Sequence, residues 1–359
     1  MNTIPTQPGS KAVSIWIYIG VAMILIQVVL GGVTRLTGSG LSITEWNLKH
    51  LLPPLTQQEW LGEFQKYKAT PQFRFLNMDF TLEDFKSIFF WEWLHRTWAK
   101  LIGFVFLGGF VYLIAKKYLR KQMVKPLLIL FLFGLLQAVI GWIMVASGLE
   151  GDAIYVNPTR LAIHFVSALG LISYAFWFAL QLSVPPKERI NDPALRKWVY
   201  AILTVLFFQL IYGALMAGLK AATAAPTWPD INGSLVPGNL FYERPLILNF
   251  VENKSTIHFI HRMLAYLLLI LISVFIYKTS RVSYAANYFN KARIIVLVLV
   301  IVQVLLGISS VLTSVSSVPG KWGVFEWLAQ LHQVIGMLLL LNIVAVLYLL
   351  TKKSAGTAQ

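Results

Sequence analysis

The sequence predicts an all-α integral membrane protein with eight transmembrane helices, arranged as two tandem pseudo-symmetric four-helix bundles. Three observations support this fold class: the composition, the number of long apolar runs, and an internal repeat. Of the 359 residues, 57% are hydrophobic and only 13% are charged, whereas soluble globular domains carry about 25% charged residues. A chain of this composition is suited to a lipid bilayer.

Eight apolar runs of about 20 residues are each long enough to cross a hydrocarbon layer of about 30 Å as a helix. The first run ends in the pair Gly31-Gly32 and lacks a small-residue cleavage pattern. We therefore expect it to remain as the first helix and not to be removed as a signal peptide. The predicted segments are 14–33, 88–115, 124–146, 160–182, 197–218, 255–277, 292–313 and 326–350.

The connector between the first two segments, 34–88, is too long and too aromatic to be a simple turn. Thr56 followed by Glu59 has the pattern of a capping box and predicts the start of an amphipathic helix. A second capping sequence at Thr81 leads into the second segment. The amphipathic helix runs through Trp60, Phe64 and Tyr67. We expect the Trp and Phe residues of this connector to anchor at the membrane interface, in preference to binding a ligand.

The net charge of +15 indicates topology. About sixteen of the thirty basic residues lie at the termini and in those connectors that eight membrane-spanning helices would place on the same side of the membrane. The positive-inside rule makes this side cytoplasmic, so both termini are predicted inside and the basic residues face anionic lipid. We expect no nucleic-acid partner, because no basic groove is interleaved with stacking aromatic residues. The basic clusters are Lys11, 116–125, 187–197, 278–293 and Lys352-Lys353.

An internal repeat relates the two halves of the chain. Each odd-numbered segment carries Gln-x-x-x-Gly, and each even-numbered segment carries one histidine near its predicted outer end. His95 lies 166 residues before His261. His164 lies 168 residues before His332, as a tandem duplication predicts. The glycines suit the close approach of a flat ring or of a neighbouring helix. The motifs begin and end at Gln27 and Gly31, Gln137 and Gly141, Gln209 and Gly213, and Gln303 and Gly307.

The proline-containing connector at 184–193 is the natural boundary between the halves. It divides the chain into an N-terminal four-helix bundle, 1–185, which includes the long outer loop 34–88, and a C-terminal four-helix bundle, 186–359.

Two histidines per bundle, on alternating helices, indicate a haem iron approached by imidazoles from both faces. A packing histidine is the simpler interpretation of any one of them, but four equivalent positions argue against it. The chain has no cysteine, which excludes thiolate metal sites and iron–sulfur clusters. Zinc is disfavoured because it takes three or four close ligands. A transporter is disfavoured because the ionisable residues lie at the outer ends of the helices.

Glu92 precedes His95 by three residues, so both lie near one helix face. A carboxylate there is costly unless it is paired or used, which makes Glu92 the candidate catalytic residue. Arg96 offers the alternative of a structural ion pair. Arg96 and its counterpart Arg262 are candidates for binding haem propionates or are interfacial arginines. The C-terminal bundle carries His258 in place of Glu92, which indicates that the bundles have different tasks.

Several long motifs resemble the haem A synthase family, and the resemblance covers nearly the whole chain. The long outer loop is similar to the branch shared with mitochondria. The matching stretches are Gly31 to Trp46, 52–55, 63–68, Glu92-x-x-His95-Arg96, 213–219, 227–229, His261-Arg262 and 331–333.

This resemblance implies an oxidoreductase that converts haem O to haem A. The enzyme oxidises a ring methyl group to a formyl group by successive hydroxylations and supplies terminal cytochrome oxidases. By position, the resemblance implies that His95 and His164 flank the substrate haem in the N-terminal bundle. It implies that His261 and His332 ligate the iron of a haem b cofactor in the C-terminal bundle, and that Glu92 is the catalytic carboxylate.

One alternative remains open from the residues: a di-haem b-type electron-transfer protein linked to quinol, since ligation by four histidines fits it equally well. The presence of Glu92 in only one bundle and the family motifs favour the enzyme. Two departures from the family pattern stand out. The chain lacks the cysteine pair that some members carry in the outer loops, and His258 stands where many members have glutamine.

The resemblance also implies partners and a location. The partners are haem O as substrate, a quinone or other electron acceptor, the prenyltransferase that makes haem O, cytochrome oxidase assembly proteins, and a second copy of the chain. The implied location is the inner (cytoplasmic) membrane of the cell, with the histidine sites near the outer face.

Overall fold

The computed structural model describes residues 8–45, 52–281, 286–318 and 321–351. Trp46 and the pair Lys352-Lys353, which the sequence analysis used, lie outside the described residues. Across the described ranges the chain is helical, with no strand beyond an isolated bridge between Ile231 and Ser234. The α-helices there are α1 (Pro8–Leu36), α2 (Gln57–Lys68), α3 (Pro71–Leu76), α4 (Leu82–Ala115), α5 (Lys121–Ala146), α6 (Pro158–Ser183), α7 (Pro193–Gly218), α8 (Lys254–Ser280), α9 (Asn287–Thr313) and α10 (Val324–Leu349).

All of these helices except α2 and α3 are long and apolar enough to span a membrane, which within the described residues confirms the predicted number of eight. The protein is therefore a multi-pass, all-α membrane protein. Helix α4 begins six residues before the predicted segment, because Thr81 caps it. Thr81 Oγ1 accepts from the Asp84 main-chain N–H, and Asp84 Oδ2 accepts from the Thr81 main-chain N–H at 2.9 Å.

The predicted amphipathic helix in the outer loop is confirmed as α2, with both hydrogen bonds of its capping box at Thr56. The prediction that its Trp and Phe residues anchor at the membrane interface is wrong for Phe64, which is 5% exposed; Tyr67 is buried beside it, at 0% exposed. Both rings stack on Phe85 of α4, at 5.1 and 5.3 Å between centroids. Burial raises the pKa of Tyr67 to about 12. These contacts fix the outer loop on the end of α4.

The long helices pack in a pattern that fits the predicted tandem duplication. Helix α1 packs against α4 and α6, and α5 packs against α6; correspondingly, α7 packs against α8 and α10, and α9 packs against α10. The two sets meet through α6 and α7, α1 and α10, and α6 and α10. The apolar core draws buried residues from all eight long helices, and the candidate site residues lie on α4, α6, α8 and α10.

Candidate functional site

Each of the four predicted histidines packs against the glycine of a Gln-x-x-x-Gly motif on a neighbouring helix. A β-carbon placed on any of these glycines would lie only 3.0 to 3.2 Å from an imidazole atom, closer than ordinary van der Waals contact. The missing side chains therefore make room for imidazole rings, so the neighbour that approaches each motif is a histidine. The pairs are Gly31 with His95, Gly141 with His164, Gly213 with His261, and Gly307 with His332.

The two predicted histidines of the second half, His261 and His332, face each other. Their ring centroids are 6.3 Å apart and their planes meet at 69°. Imidazole–metal bonds of about 2.0–2.1 Å place two rings on one metal atom roughly 6 Å apart between centroids. His332 Nδ1 lies 3.0 Å from the main-chain oxygen of Gln303, which favours a proton on Nδ1 and makes Nε2 the acceptor nitrogen. The spacing of this pair would allow both imidazoles to hold the iron of a haem.

Three of the four glutamines of the repeat contact a histidine or the helix that carries it. Nε2 of Gln209 lies 3.3 Å from Nε2 of His261, and Nε2 of Gln303 lies 3.2 Å from Nε2 of His332. When the Gln137 amide is oriented so that both its oxygen and its nitrogen make hydrogen bonds, the nitrogen donates to the main-chain oxygen of His164, on α6, at 3.2 Å. The motif thus supplies both space and polar contacts at the imidazole.

His95 is oriented differently from the other three histidines. At Gly141, Gly213 and Gly307 the nearest imidazole atom is Cε1, whereas at Gly31 it is Nε2 of His95, at 3.2 Å. Within the described residues, no three His, Cys, Asp or Glu side chains come together as a metal-binding group. The donor set is therefore imidazoles on paired helices, which suits haem iron better than tetrahedral zinc.

Glu92 is 2% exposed and its carboxylate is surrounded by hydrogen-bond donors. Oε2 accepts from the main-chain N–H and the hydroxyl of Ser42, both at 2.7 Å, and from the main-chain N–H of Ile43 at 2.9 Å. Oε1 lies 2.5 Å from Nη2 of Arg96, so the ion pair predicted from the spacing is confirmed. A buried charge is tolerated here because every contact is a donor.

Arg96 connects this carboxylate to the outer loop. Its Nη2 also donates to the main-chain oxygen of Ile43 at 3.0 Å, and its Nη1 donates to the main-chain oxygen of Glu45 at 3.4 Å. Glu92 and Arg96 together hold both the N–H and the C=O groups of the loop that follows α1. The loop is thereby fixed over the outer end of α4, one turn above His95.

Arg262 makes the corresponding contacts in the second half. Its Nη1 donates to the main-chain oxygen of Asp230 and its Nη2 to that of Thr227, both at 2.6 Å, while Nε donates to Nε2 of His258 at 3.2 Å. The N–H of Gly233 donates to Asp230 Oδ1 at 2.8 Å and holds the pKa of that carboxyl below its ordinary value. His258, fully buried, thus takes the place of Glu92 as acceptor for the arginine four residues on.

Two features of the site were missed in the sequence. The Ser42 and Ile43 donors lie about fifty residues before Glu92, and no local pattern connects them. Gly32 receives Gln330 and Gln333 of α10, whose side-chain atoms would lie 2.4 to 2.9 Å from its β-carbon. This contact between the halves could have been predicted from two features of the sequence: the Gly31-Gly32 pair and the two glutamines that flank His332 on α10.

We expect Gly307→Ala to lower stability although alanine is the better helix former. The substitution gains about 1 kcal/mol of helix propensity, but its β-carbon would meet His332 Cε1 at 3.0 Å, and overpacking costs about 1–3 kcal/mol. The melting temperature in detergent should fall below that of the wild type. Gly170→Ala, whose β-carbon meets nothing within 4 Å, should leave it unchanged or raised. Equal melting temperatures for the two variants would contradict this account.

The chain matches known proteins over most of its length. The family model of the cytochrome oxidase assembly protein family, COX15-CtaA, matches residues 14–344. A heme A synthase of Bradyrhizobium sp. (strain ORS 278) is 39% identical over 316 residues, covering 87% of this chain and 86% of the relative. One of Flavobacterium psychrophilum is 37% identical over 342 residues, covering 92% and 96%. The extent of both matches shows that the chain belongs to the cytochrome oxidase assembly protein family, COX15-CtaA.

Proposed function

We propose that the protein is a haem A synthase. It oxidises a ring methyl group of haem O to a formyl group by successive hydroxylations and so provides haem A for terminal cytochrome oxidases. The observation that carries this proposal is the buried, fully hydrogen-bonded carboxylate of Glu92, one helical turn from His95. Its counterpart in the second half is the imidazole of His258. The names of the relatives, heme A synthase, support the same activity.

The two pairs of histidines have different tasks in this proposal. His95 and His164 bind the substrate haem in the N-terminal bundle, 1–185. His261 and His332 ligate haem b in the C-terminal bundle, 186–359. The facing rings on α8 and α10 support a resident cofactor there, and the different orientation of His95 supports a separate task for the first half.

Glu92 is the catalytic carboxylate of the proposed mechanism. Its oxygens accept protons from, or position water at, the carbon being oxidised, and Arg96 and the Ser42–Ile43 segment keep the carboxylate at that place. When bound, haem b supplies one-electron redox chemistry near the substrate. Arg96 holds the loop that follows α1 beside this carboxylate.

The proposed location is the inner (cytoplasmic) membrane, with both termini in the cytoplasm and the histidines near the outer face. The basic inner connectors support this orientation. The proposed partners are haem O, a quinone or other electron acceptor, the prenyltransferase that makes haem O, and cytochrome oxidase assembly proteins. The proposed partners also include a second copy of the chain.

Pigment analysis tests the function. Membranes containing the protein are supplied with haem O, the protein is purified, and its non-covalent haems are extracted and separated by mass. We expect haem b together with haem A or a hydroxylated intermediate. Unmodified haem b alone, with haem O left unconverted, would contradict the enzyme and favour the di-haem electron-transfer protein.

A further inference from the structure

The outer halves of α4 and α5 stand apart, although the corresponding helices α8 and α9 pack together. Over the described ranges, α4 packs against α1 and α2, α5 packs against α6, and contact between α4 and α5 is marginal at most. One aromatic contact joins them near mid-helix, where the rings of Phe106 and Phe131 lie 6.3 Å apart at 19°. A cleft therefore opens between this contact and the outer surface.

Helical spacing identifies the walls of the cleft. Residues three or seven positions before Phe106, and four, eight or eleven positions after Phe131, share the faces that carry those two rings. All of them are small or apolar, and all are exposed. The residues of this α4–α5 cleft are Ala99 and Gly103 on α4, and Leu135, Val139 and Trp142 on α5.

The second half fills the equivalent space. A β-carbon on Gly103 would meet no atom within 4 Å, whereas the residue 166 positions later, Leu269, is half-buried. Trp142 is 53% exposed, whereas its equivalent, Ile308, is half-buried. Gly103 and Trp142 therefore leave this place more open in the first half, although Ile301 and Leu305, the equivalents of Leu135 and Val139, are exposed as well.

The cleft leads into the first site. At its outer end lies a cavity of about 200 Å³, whose lining includes Ile43, Arg96 and Trp142. The N–H of Ile43 donates to the Glu92 carboxylate at 2.9 Å. Trp142 directly follows Gly141, and His164 of α6 packs against Gly141. A molecule lying in the cleft would therefore extend from the bilayer to Ile43, which contacts Glu92, and to Trp142, which is next to Gly141.

We propose that the α4–α5 cleft binds the farnesyl chain of haem O and is the lateral entrance of this substrate from the bilayer; this rests on the function proposed above. Trp142 lies eleven positions after Phe131, about 16 Å along the helix, a length comparable with an extended farnesyl chain. The walls are apolar and open to lipid, as a chain that arrives through the membrane requires. Haem b carries no such chain, and the second site, which retains it, has no cleft.

Filling the cleft tests the proposal. Gly103→Leu copies the residue of the closed half, and Gly108→Leu is the matched control, because Gly108 is exposed on the same helix with no atom within 4 Å but points about 140° away. Each variant is purified with its haem b, and binding of haem O and of protohaem, which lacks the farnesyl chain, is titrated by absorbance. The unchanged haem b spectrum reports correct folding.

We expect Gly103→Leu to bind haem O about tenfold more weakly than the wild type, with unchanged affinity for protohaem, while Gly108→Leu matches the wild type for both. Unchanged haem O binding in Gly103→Leu would overturn the cleft proposal. An equal loss of affinity for haem O and for protohaem would also overturn it, because the cleft would then not recognise the farnesyl chain. If the wild-type protein binds haem O more tightly than protohaem but never converts haem O, only the proposed function would be contradicted.

Discussion

Glu92→Gln is expected to abolish haem A formation while both haems remain bound. Glutamine keeps the size and one oxygen of the side chain, so an acceptor for Ser42 and Ile43 is retained. It loses the charge that pairs with Arg96 at 2.5 Å and the ability to take up a proton. Loss of a positioned proton acceptor costs about 10²–10⁴-fold in rate. Mass analysis of extracted haems should find haem b and haem O but no haem A.

The chain provides a matched control for this variant. Glu326, at the start of α10, is also 2% exposed and also accepts local donors, from Ser317 Oγ at 2.7 Å and the Gly323 N–H at 2.9 Å. It lies in the first turn of the helix, where glutamine can make the same capping contact, so Glu326→Gln should lower stability by at most about 1 kcal/mol through the lost charge and leave haem A formation intact. Haem A from Glu92→Gln at the wild-type level would contradict a catalytic role and leave Glu92 as a structural partner of Arg96.

Local signals explain how much of the fold could be predicted. The spans follow from length and apolarity, and the starts of α2 and α4 follow from capping boxes contained within four residues at Thr56 and Thr81. The repeat predicted which helices carry a glycine and which a histidine. It did so because a duplicated unit preserves spacing, and the structure brings each such pair together.

The remaining features depend on contacts between distant segments. The donors around Glu92 come from a loop about fifty residues earlier, and Arg262 binds main-chain oxygens more than thirty residues earlier. Main-chain groups leave no residue-type signal, so neither contact was predictable. The separation of α4 from α5 was equally hidden, since both helices, like α8 and α9, are long and apolar enough to span a membrane, and small residues such as Gly103 do not by themselves predict a gap.

The two histidine pairs are expected to respond differently to truncation, which assigns a task to each half. His332→Ala removes a ring that stands 6.3 Å from its partner ring. Losing only a residue that orients a metal ligand costs about 10–100-fold in affinity, so loss of the ligand itself should leave little haem b in the purified protein. The haem b absorbance should fall, and so should the melting temperature, because a ligand that binds the native state stabilises it.

His95→Ala, in contrast, should retain the haem b absorbance and melting temperature of the wild type, yet fail to form haem A from added haem O. Its ring lies against Gly31, and both residues belong to the N-terminal half. Its removal therefore leaves the pair on α8 and α10 intact. The same absorbance measurement on both variants, followed by mass analysis, therefore separates a cofactor site from a substrate site. Loss of haem b from His95→Ala, or its retention in His332→Ala, would mean that the two tasks are not divided between the halves as proposed.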